Sequence, residues 1–406
     1  MQFRPVLLAA VLSHLAPALA APPIIVGYYP TWKHDVLSKL DLANYTHINV
    51  AFALPDEKAN LAFEGEAMMP EIVPKLQAHN TKVLVSVGGW TGSAFFSNIT
   101  RPEMSETFAN NVIELMEKHN LDGIDFDWEY PGQAGSPCNF FDEQNDTKNF
   151  LAFLQKLRPK VDALGPGKLI TLAVLTRPFA GPGGEDVSEF AKVVDFTNIM
   201  QYDMNGAWGT ETGPNAPLNF EPGKATQRSF ATAIEEWTSA GWPAGQLTSG
   251  LAFYGRSVTA LVDMLAQNPV SQYANFSKEV PRGDNGDKLT AETCPPNSAS
   301  NVNGTAAWSG TWTYANLRAQ GVLATPTTAS PPWVRTFDNI TMTPWLFHPE
   351  NKTYITYDDP VSLDAKIKFA LSKGLAGAMA WEITGDFNGE LVSAVRGALG
   401  TKKRRK

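Results

Sequence analysis

The positions of hydrophobic and polar residues predict alternating strands and helices along the chain. Residues 145–164 carry apolar side chains at i, i+4, i+7 and i+11, the spacing of one helix face, and residues 103–119 form a second predicted helix. Short runs of β-branched and aromatic residues predict the strands. The eight predicted strands span residues 24–29, 46–53, 82–89, 123–129, 168–176, 194–202, 247–255 and 374–382.

Eight evenly placed strands that alternate with helices predict an α/β fold, a (β/α)8 TIM barrel closed by a parallel sheet. Residues 256–373, between the seventh and eighth strands, are rich in Asn, Thr, Pro and Trp and contain extended patterns. A structureless loop of that length is uncommon. We therefore expect a small α+β insertion at 258–360 and a barrel formed by 21–257 and 361–400.

The two ends of the chain differ from the rest in composition. Residues 1–20 combine one basic residue, an apolar run and a terminal Ala-Leu-Ala. This pattern predicts a secretory signal peptide rather than a buried helix, because Pro5 and Pro17 bracket the run. No later segment has about eighteen unbroken apolar residues, so we expect no membrane span. The basic tail, 401–406, is expected to be solvated or removed by proteolysis.

The net charge argues against two classes of partner. It is −8 for the whole chain, and loss of the predicted signal, with its single Arg4, makes it −9. A chain this acidic is a poor partner for nucleic acid or for an anionic membrane. We expect a secreted, extracellular monomer that binds neither.

Seven Asn-x-Ser/Thr patterns also favour secretion, although only some are expected to carry glycans. They begin at Asn44, Asn98, Asn145, Asn275, Asn303, Asn339 and Asn351. The two cysteines, Cys138 and Cys294, could form one disulfide in an oxidising compartment or remain separate thiols, and the sequence leaves both open. The histidines lack metal-ligand spacing, so we expect neither a metal nor another cofactor.

The predicted strand at 123–129 has acids that alternate with large apolar residues, GIDFDWE. Side chains alternate faces along a strand, so Asp125, Asp127 and Glu129 share one face. In a barrel the apolar face packs against helices, and the acids point inward, where branched apolar residues are usual. Glu129 comes last and lies at the C-terminal rim, where such barrels build active sites.

Three neighbouring carboxylates cannot all be ionised in a low-dielectric interior, so at least one should hold a proton near neutral pH. A row of acids that shares a proton can make one of them a good general acid. Two alternatives are a solvated acidic edge strand, which leaves the large apolar residues unexplained, and metal binding, for which no other clustered ligands are evident.

The segment DGIDFDWE resembles the D-x-x-D-x-D-x-E signature of glycoside hydrolase family 18, the chitinases. Four further segments follow the order of that family: SVGGW at 86–90, MQYD at 200–203, FYGR at 253–256 and AWEITGD at 380–386. The resemblance extends from about residue 24 to about residue 400 and is weakest in the predicted insertion. The chain is most similar to secreted fungal-type enzymes with an insertion before the last strand.

The resemblance implies roles for individual residues. Glu129 would be the general acid and then the base, Asp127 would hold the substrate's acetamido group, and Asp125 would be the inner proton partner. Tyr202 would complete the catalytic set by contacting the acetamido group or sugar hydroxyls. The implied substrate-binding residues are Tyr28, Trp32, Phe52, Ser86, Gly89, Trp90, Met200, Asp203, Tyr254, Arg256 and Trp381.

Two assignments depend on position within the motifs. Trp381 ends a predicted strand at the rim and would form the hydrophobic platform beneath the sugar. Asp122 opens the acid motif but lies off its period-two register, so we assign it a structural role. The tryptophans at 208, 308, 312, 333 and 345 stay unassigned.

The implied function is a secreted chitinase that acts on β-1,4-linked N-acetylglucosamine polymers. One alternative is an endo-β-N-acetylglucosaminidase that acts on N-glycans. The other is a non-catalytic, chitin-binding, lectin-like protein. Such relatives typically lack the terminal acid, whereas Glu129, Asp127 and Tyr202 are all present here.

Spacing and resemblance disagree on how the glycosidic bond breaks. The Cβ atoms of Asp127 and Glu129, two residues apart on a strand, should lie ~6.6 Å apart, which is nearer the carboxylate separation of inverting than of retaining glycosidases. Both acids rise from one strand, however, and cannot easily flank a sugar from opposite faces. The resemblance implies substrate-assisted catalysis with retention, in which the N-acetyl oxygen attacks C1 while Glu129 protonates the leaving oxygen.

Overall fold

The computed structural model describes residues 22–33, 40–302 and 304–401. The predicted signal segment, the sequon at Asn303 and the basic residues after Thr401 lie outside these ranges. The strands are β1 Ile24–Pro30, β2 His47–Pro55, β3 Leu61–Phe63, β4 Lys82–Gly88, β5 Gly123–Asp127, β6 Leu169–Val174, β7 Phe196–Ile199, β8 Leu247–Ala252, β9 Tyr254–Thr259, β10 Thr311–Thr313, β11 Leu323–Thr325, β12 Thr328–Ala329, β13 Val334–Asp338, β14 Thr343–His348, β15 Thr353–Thr356 and β16 Gly377–Trp381. The α-helices are α1 Met69–Gln77, α2 Gly89–Gly92, α3 Phe96–Ile99, α4 Ser105–Lys118, α5 Asp146–Ala163, α6 Phe230–Ser239, α7 Tyr314–Ala319, α8 Pro360–Ser372 and α9 Glu390–Ala398.

Eight strands form one closed parallel ring. Around the ring the order is β1, β2, β4, β5, β6, β7, β8 and β16, and β16 pairs with β1 to close it. The short strand β3 joins the edge of β2 in antiparallel orientation. Each of these ring strands corresponds to one predicted strand, and its ends fall within three residues of the prediction. The predicted (β/α)8 barrel is confirmed.

The two predicted helices are α4 and α5, and they cover the outer face of β5. Phe126 meets Phe108 of α4 edge-on with ring centroids 6.0 Å apart, and it meets Phe153 of α5 edge-on at 5.4 Å. Burying a side chain of this size stabilises the fold by about 1.5–3 kcal/mol. The apolar face of the acid strand therefore points outward, as predicted. In the described part of the chain, no helix combines the length and the apolar composition that crossing a membrane requires.

A second, antiparallel sheet lies outside the ring, in the order β10, β9, β15, β14, β13, and β11 pairs with β12 beside it. Its strand β9 begins at Tyr254, two residues after β8 ends at Ala252. The stretch 247–255, predicted as one ring strand, is therefore divided between the two sheets. The run is apolar on both sides of the division, so its pattern carries no signal for a change of sheet.

A disulfide joins Cys138, in the loop between β5 and α5, to Cys294, in the segment between β9 and β10. The two alternatives that the sequence left open are thus decided in favour of pairing. A crosslink between residues 156 positions apart stabilises the native state by about 5 kcal/mol in the chain-entropy model. It also links the segment between β9 and β10 to the loop that follows the acid strand.

Candidate active site

A cleft of about 850 Å³ opens at the C-terminal end of the ring. Most of the predicted site residues line it, namely Tyr28, Trp32, Phe52, Trp90, Asp127, Glu129, Met200, Tyr202, Asp203, Arg256 and Trp381. Four predicted residues are buried next to these rather than in the cleft lining, and they are Ser86, Gly89, Asp125 and Tyr254. The structure therefore brings together residues from seven predicted strands or the turns that follow them.

Asp125 is fully buried at the base of the acid row. Its Oδ2 accepts hydrogen bonds from the hydroxyls of Tyr28 and Ser86, each at 2.7 Å. Its Oδ1 accepts one from Thr171 Oγ1 at 2.5 Å. Burial raises the pKa of the Asp125 carboxyl, and the three hydroxyl donors oppose that rise. Thr171 was not predicted, because its role depends on β6 lying beside β5.

Asp127 lies above Asp125 and is only 4% exposed. Among the described residues, its Oδ1 has no hydrogen-bond partner. Burial, and then the charges of Glu129 and Asp125, raise the pKa of Asp127 well above its usual range. A buried acceptor without a donor is costly unless a ligand or water satisfies it. Asp127 can therefore accept a hydrogen bond from a substrate N–H or hold a proton.

Glu129 lies two residues beyond the end of β5 and reaches the cleft. Its Oε2 accepts a hydrogen bond from the Tyr130 hydroxyl at 3.0 Å. Burial raises the pKa of Glu129 to about 7, the hydrogen bond from Tyr130 opposes this rise, and the charge of Asp203 adds to it. A carboxyl with such a pKa can donate its proton near neutral pH and take one back afterwards.

Asp203, Tyr254 and Arg256 form one polar cluster beside the cleft. Asp203 Oδ1 accepts from the Tyr254 hydroxyl and from Arg256 Nε, both at 2.6 Å. Asp203 Oδ2 accepts from Arg256 Nη2 at 2.7 Å. Burial disfavours the charge of Arg256, but Asp203 outweighs it and raises the pKa of the guanidinium. Tyr254 and Arg256 both lie on β9, so the second sheet contributes directly to the cleft.

Aromatic rings form a continuous apolar surface in the cleft. Trp381 stacks on Phe52 with ring centroids 5.6 Å apart, and Phe52 stacks on Trp32 at 6.2 Å. Tyr28 meets Trp381 edge-on at 5.6 Å. The apolar C–H faces of a pyranose fit such a surface. Gly89 allows Phe52 to approach, because a Cβ there would lie 2.7 Å from that ring.

Trp208 lines the cleft although the sequence left it unassigned. Its side chain is 60% exposed, and the guanidinium of Arg256 lies 4.9 Å above its ring. Its only sequence signal was its place in the loop after the predicted strand 194–202. Trp32 and Trp90 are also about half exposed at the rim, so these three tryptophans and Trp381 all present rings to the cleft.

Tyr202 lines the cleft, and its hydroxyl makes a weak contact to Met379 Sδ at 3.8 Å. Burial raises the pKa of Tyr202 well above its usual range, so the hydroxyl stays protonated and can donate. Asp122, at the other end of β5, accepts hydrogen bonds from Val83 N at 2.9 Å and Gln77 Nε2 at 3.0 Å. These contacts fit its assigned structural role.

The described residues include no group of three or more His, Cys, Asp or Glu side chains that could hold a metal ion. The buried acid row, with the raised pKa values of Asp127 and Glu129, supports acid–base chemistry by side chains. Three non-proline cis peptide bonds, at Ala51–Phe52, Glu129–Tyr130 and Trp381–Glu382, also occur at the cleft.

Comparison with known proteins identifies the family. The model of the glycosyl hydrolases family 18 matches residues 24–386. A chitinase-like effector from Moniliophthora roreri is 34% identical over 98% of each chain, and Chitinase A1 from Niallia circulans is 29% identical over 97% of this chain and 62% of that protein. The crystal structure of a chitinase from Rhizomucor miehei is 30% identical, with a TM-score of 0.83 over 92% of this chain and 99% of that one. The chain therefore belongs to family 18 of the glycosyl hydrolases and is a glycoside hydrolase.

Proposed function

We propose that the protein is a secreted chitinase that hydrolyses β-1,4-linked N-acetylglucosamine polymers with retention by substrate-assisted catalysis. The observation that carries this proposal is the buried acid row that ends in Glu129 within an aromatic cleft. The relatives named as chitinases agree with the substrate class. The predicted signal peptide and sequons support secretion.

In the first step, protonated Glu129 donates its proton to the glycosidic oxygen as the bond to C1 breaks. The carbonyl oxygen of the sugar's own N-acetyl group bonds to C1 and gives a cyclic oxazolinium ion. Asp127 Oδ1 accepts the acetamido N–H and its charge stabilises the cation, while Tyr202 donates to the acetamido group. Trp381 supports the ring of the sugar from below.

In the second step, the Glu129 carboxylate removes a proton from water, and the water oxygen bonds to C1. The oxazolinium opens and restores the N-acetyl group. Glu129 ends protonated, as it began, and two inversions at C1 give net retention. No carboxylate needs to bond to the sugar.

Asp203 also lines the cleft, and its charge acts on Glu129, so it is a carboxylate to weigh for a two-carboxylate mechanism. Both of its oxygens accept hydrogen bonds from Arg256, and one also accepts from Tyr254. These hydrogen bonds occupy the oxygen lone pairs that a nucleophile or a general base would have to use. This favours the substrate's own acetamido oxygen as the nucleophile.

Proton NMR of fresh digests of chito-oligosaccharides tests the mechanism. We expect the β-anomer as the first product and no hydrolysis when glucosamine, which lacks the acetyl group, occupies the cleavage subsite. The matched control is Glu129→Gln, which should give no product. An α-anomer as the first product, or efficient cleavage after a deacetylated sugar, would refute substrate assistance.

A second candidate, a binder without turnover, is favoured by two relatives, 34% and 31% identical, that are named chitinase-like effectors. The presence of Glu129, Asp127 and Tyr202 argues for catalysis. Chito-oligosaccharide binding without release of reducing ends, equal in wild type and Glu129→Gln, would support the binder.

Release of N-glycans from a glycoprotein, with chitin untouched, would support the other alternative, an endo-β-N-acetylglucosaminidase.

A further inference from the structure

Side chains from other elements hold both main-chain polar groups of Glu129. Its N–H donates to Ser93 Oγ at 2.9 Å, and its carbonyl accepts from Asn139 Nδ2 at 2.7 Å. Ser93 and Asn139 are buried. Because Glu129 lies beyond the last residue of β5, the ladder of the ring does not fix it. These two side chains therefore hold the backbone of Glu129 at both of its polar groups.

The loop that carries Asn139 packs tightly against the Glu129 carbonyl. A Cβ at Gly135 would lie 1.9 Å from that oxygen and 3.0 Å from Asn139 Nδ2. Only glycine allows so close an approach of two backbone segments. The position of this loop is therefore coupled to the position of the Glu129 carbonyl.

The segment 292–299, which lies between β9 and β10, holds this loop in place. Cys138, which precedes Asn139, is bonded to Cys294. The Ser136 hydroxyl donates to Glu292 Oε1 at 2.9 Å, and Ala299 N donates to the carbonyl of Cys138 at 3.1 Å. Three contacts within four residues of the loop connect it to a segment more than 150 positions away.

We propose that Asn139 is a positioning residue for the proton donor Glu129, and that the Cys138–Cys294 disulfide maintains Asn139 in place. We call Asn139 and this disulfide the clamp. The inference rests on the proposed function. Loss of the clamp releases the carboxyl from the glycosidic oxygen, and a misplacement of about 1 Å at a reacting group costs up to ~100-fold in rate. The exposed tryptophans bind the sugar chain independently of the clamp, so the effect is on kcat.

The first experiment compares Asn139→Ala and Asn139→Asp with Gln133→Ala. The aspartate has the size of asparagine but no amide donor, and Gln133 lies in the same loop with its Oε1 accepting from Arg177. We expect kcat on chitohexaose to fall ~10–100-fold in both Asn139 variants, with KM changed less than twofold. Gln133→Ala should resemble wild type, and circular dichroism should correct each kcat for the folded fraction. Wild-type kcat in both Asn139 variants would overturn the proposal.

The second experiment opens the disulfide. Dithiothreitol supplies two electrons and two protons, so Cys138 and Cys294 become thiols and dithiothreitol becomes a cyclic disulfide. Counting the protein thiols verifies the reduction. Reduced wild type and Cys138→Ser/Cys294→Ser should show the same kcat loss with unchanged KM, and the reductant should not affect the double variant. Unchanged turnover in verified reduced enzyme would refute the role of the disulfide.

A third measurement reads the clamp without turnover. NMR of the Glu129 carboxyl carbon follows the titration of this group. Its pKa should be about 7 in wild type. In Asn139→Ala the pKa should be lower, because the side chain gains solvent. The groups that face Glu129, namely Asp127, Asp203, Tyr130 and Tyr202, stay the same. An unchanged titration would overturn the inference. If wild type is inactive but the Glu129 pKa still differs between wild type and Asn139→Ala as expected, only the proposed function is refuted.

Discussion

The floor and the wall of the cleft are built in opposite ways. The floor is the acid row on and just after β5, where Asp125 is fully buried and Asp127 is 4% exposed. The wall consists of the rim tryptophans and the Asp203–Arg256 pair, where Trp208 is 60% exposed. Burial perturbs charge only where water is excluded. The floor is therefore suited to chemistry and the wall to binding, and the two should separate in kinetics.

The largest expected effect is in the floor. Glu129→Gln keeps the shape of the side chain but cannot donate a proton, so kcat should fall by ~10²–10⁴-fold or more. The Kd for chitotetraose, measured by calorimetry, should stay near the wild-type value because the wall is intact. Near wild-type turnover would remove Glu129 from its role as the acid.

Asp127→Asn tests the counter-charge at the same floor. The amide keeps the volume but loses the negative charge beside the developing cation, so kcat should fall by ~10²–10³-fold. Asp122→Asn, at the opposite end of β5, is the matched control and should leave kcat unchanged. Equal losses in both variants would mean that the strand, rather than the charge, was damaged.

The pH profile separates the floor from the wall without a mutation. Glu129 must carry a proton to act as the acid, and burial raises its pKa to about 7. Its protonated fraction, and with it kcat/KM, should therefore fall about tenfold per pH unit above that value. Oligosaccharide binding should change little over the same range. An alkaline limb near pH 4.5 would show that Glu129 is solvated.

The smallest effect is expected in the wall. Trp208→Ala removes one exposed ring, so KM for long oligomers should rise about three- to tenfold, or about 0.6–1.4 kcal/mol. The kcat should stay within twofold. Leu289→Ala, equally exposed but outside the cleft lining, is the control. A kcat loss in Trp208→Ala as large as that in Asp127→Asn would end the division between floor and wall.

The same division explains how much the sequence could predict. The period-two alternation around Asp125 and Asp127 is encoded within seven residues, so the orientation of that strand was predictable. Trp208 and Tyr130 lie in loops, where no periodicity indicates which side chain faces the cleft. Asn139 and Cys294 act through contacts with residues distant in the chain. The spacing of the two cysteines carries no information on their proximity.

The division of residues 247–255 between two sheets has a consequence for how the insertion can change. Strand β9 carries Tyr254 and Arg256, yet both of its neighbours, β10 and β15, lie within 258–360. Removing that region would leave β9 as an unpaired strand beside the catalytic groups. Residues 258–360 are therefore not an exchangeable module. Shortening this region in this chain would require one side of the cleft to be rebuilt in the same event.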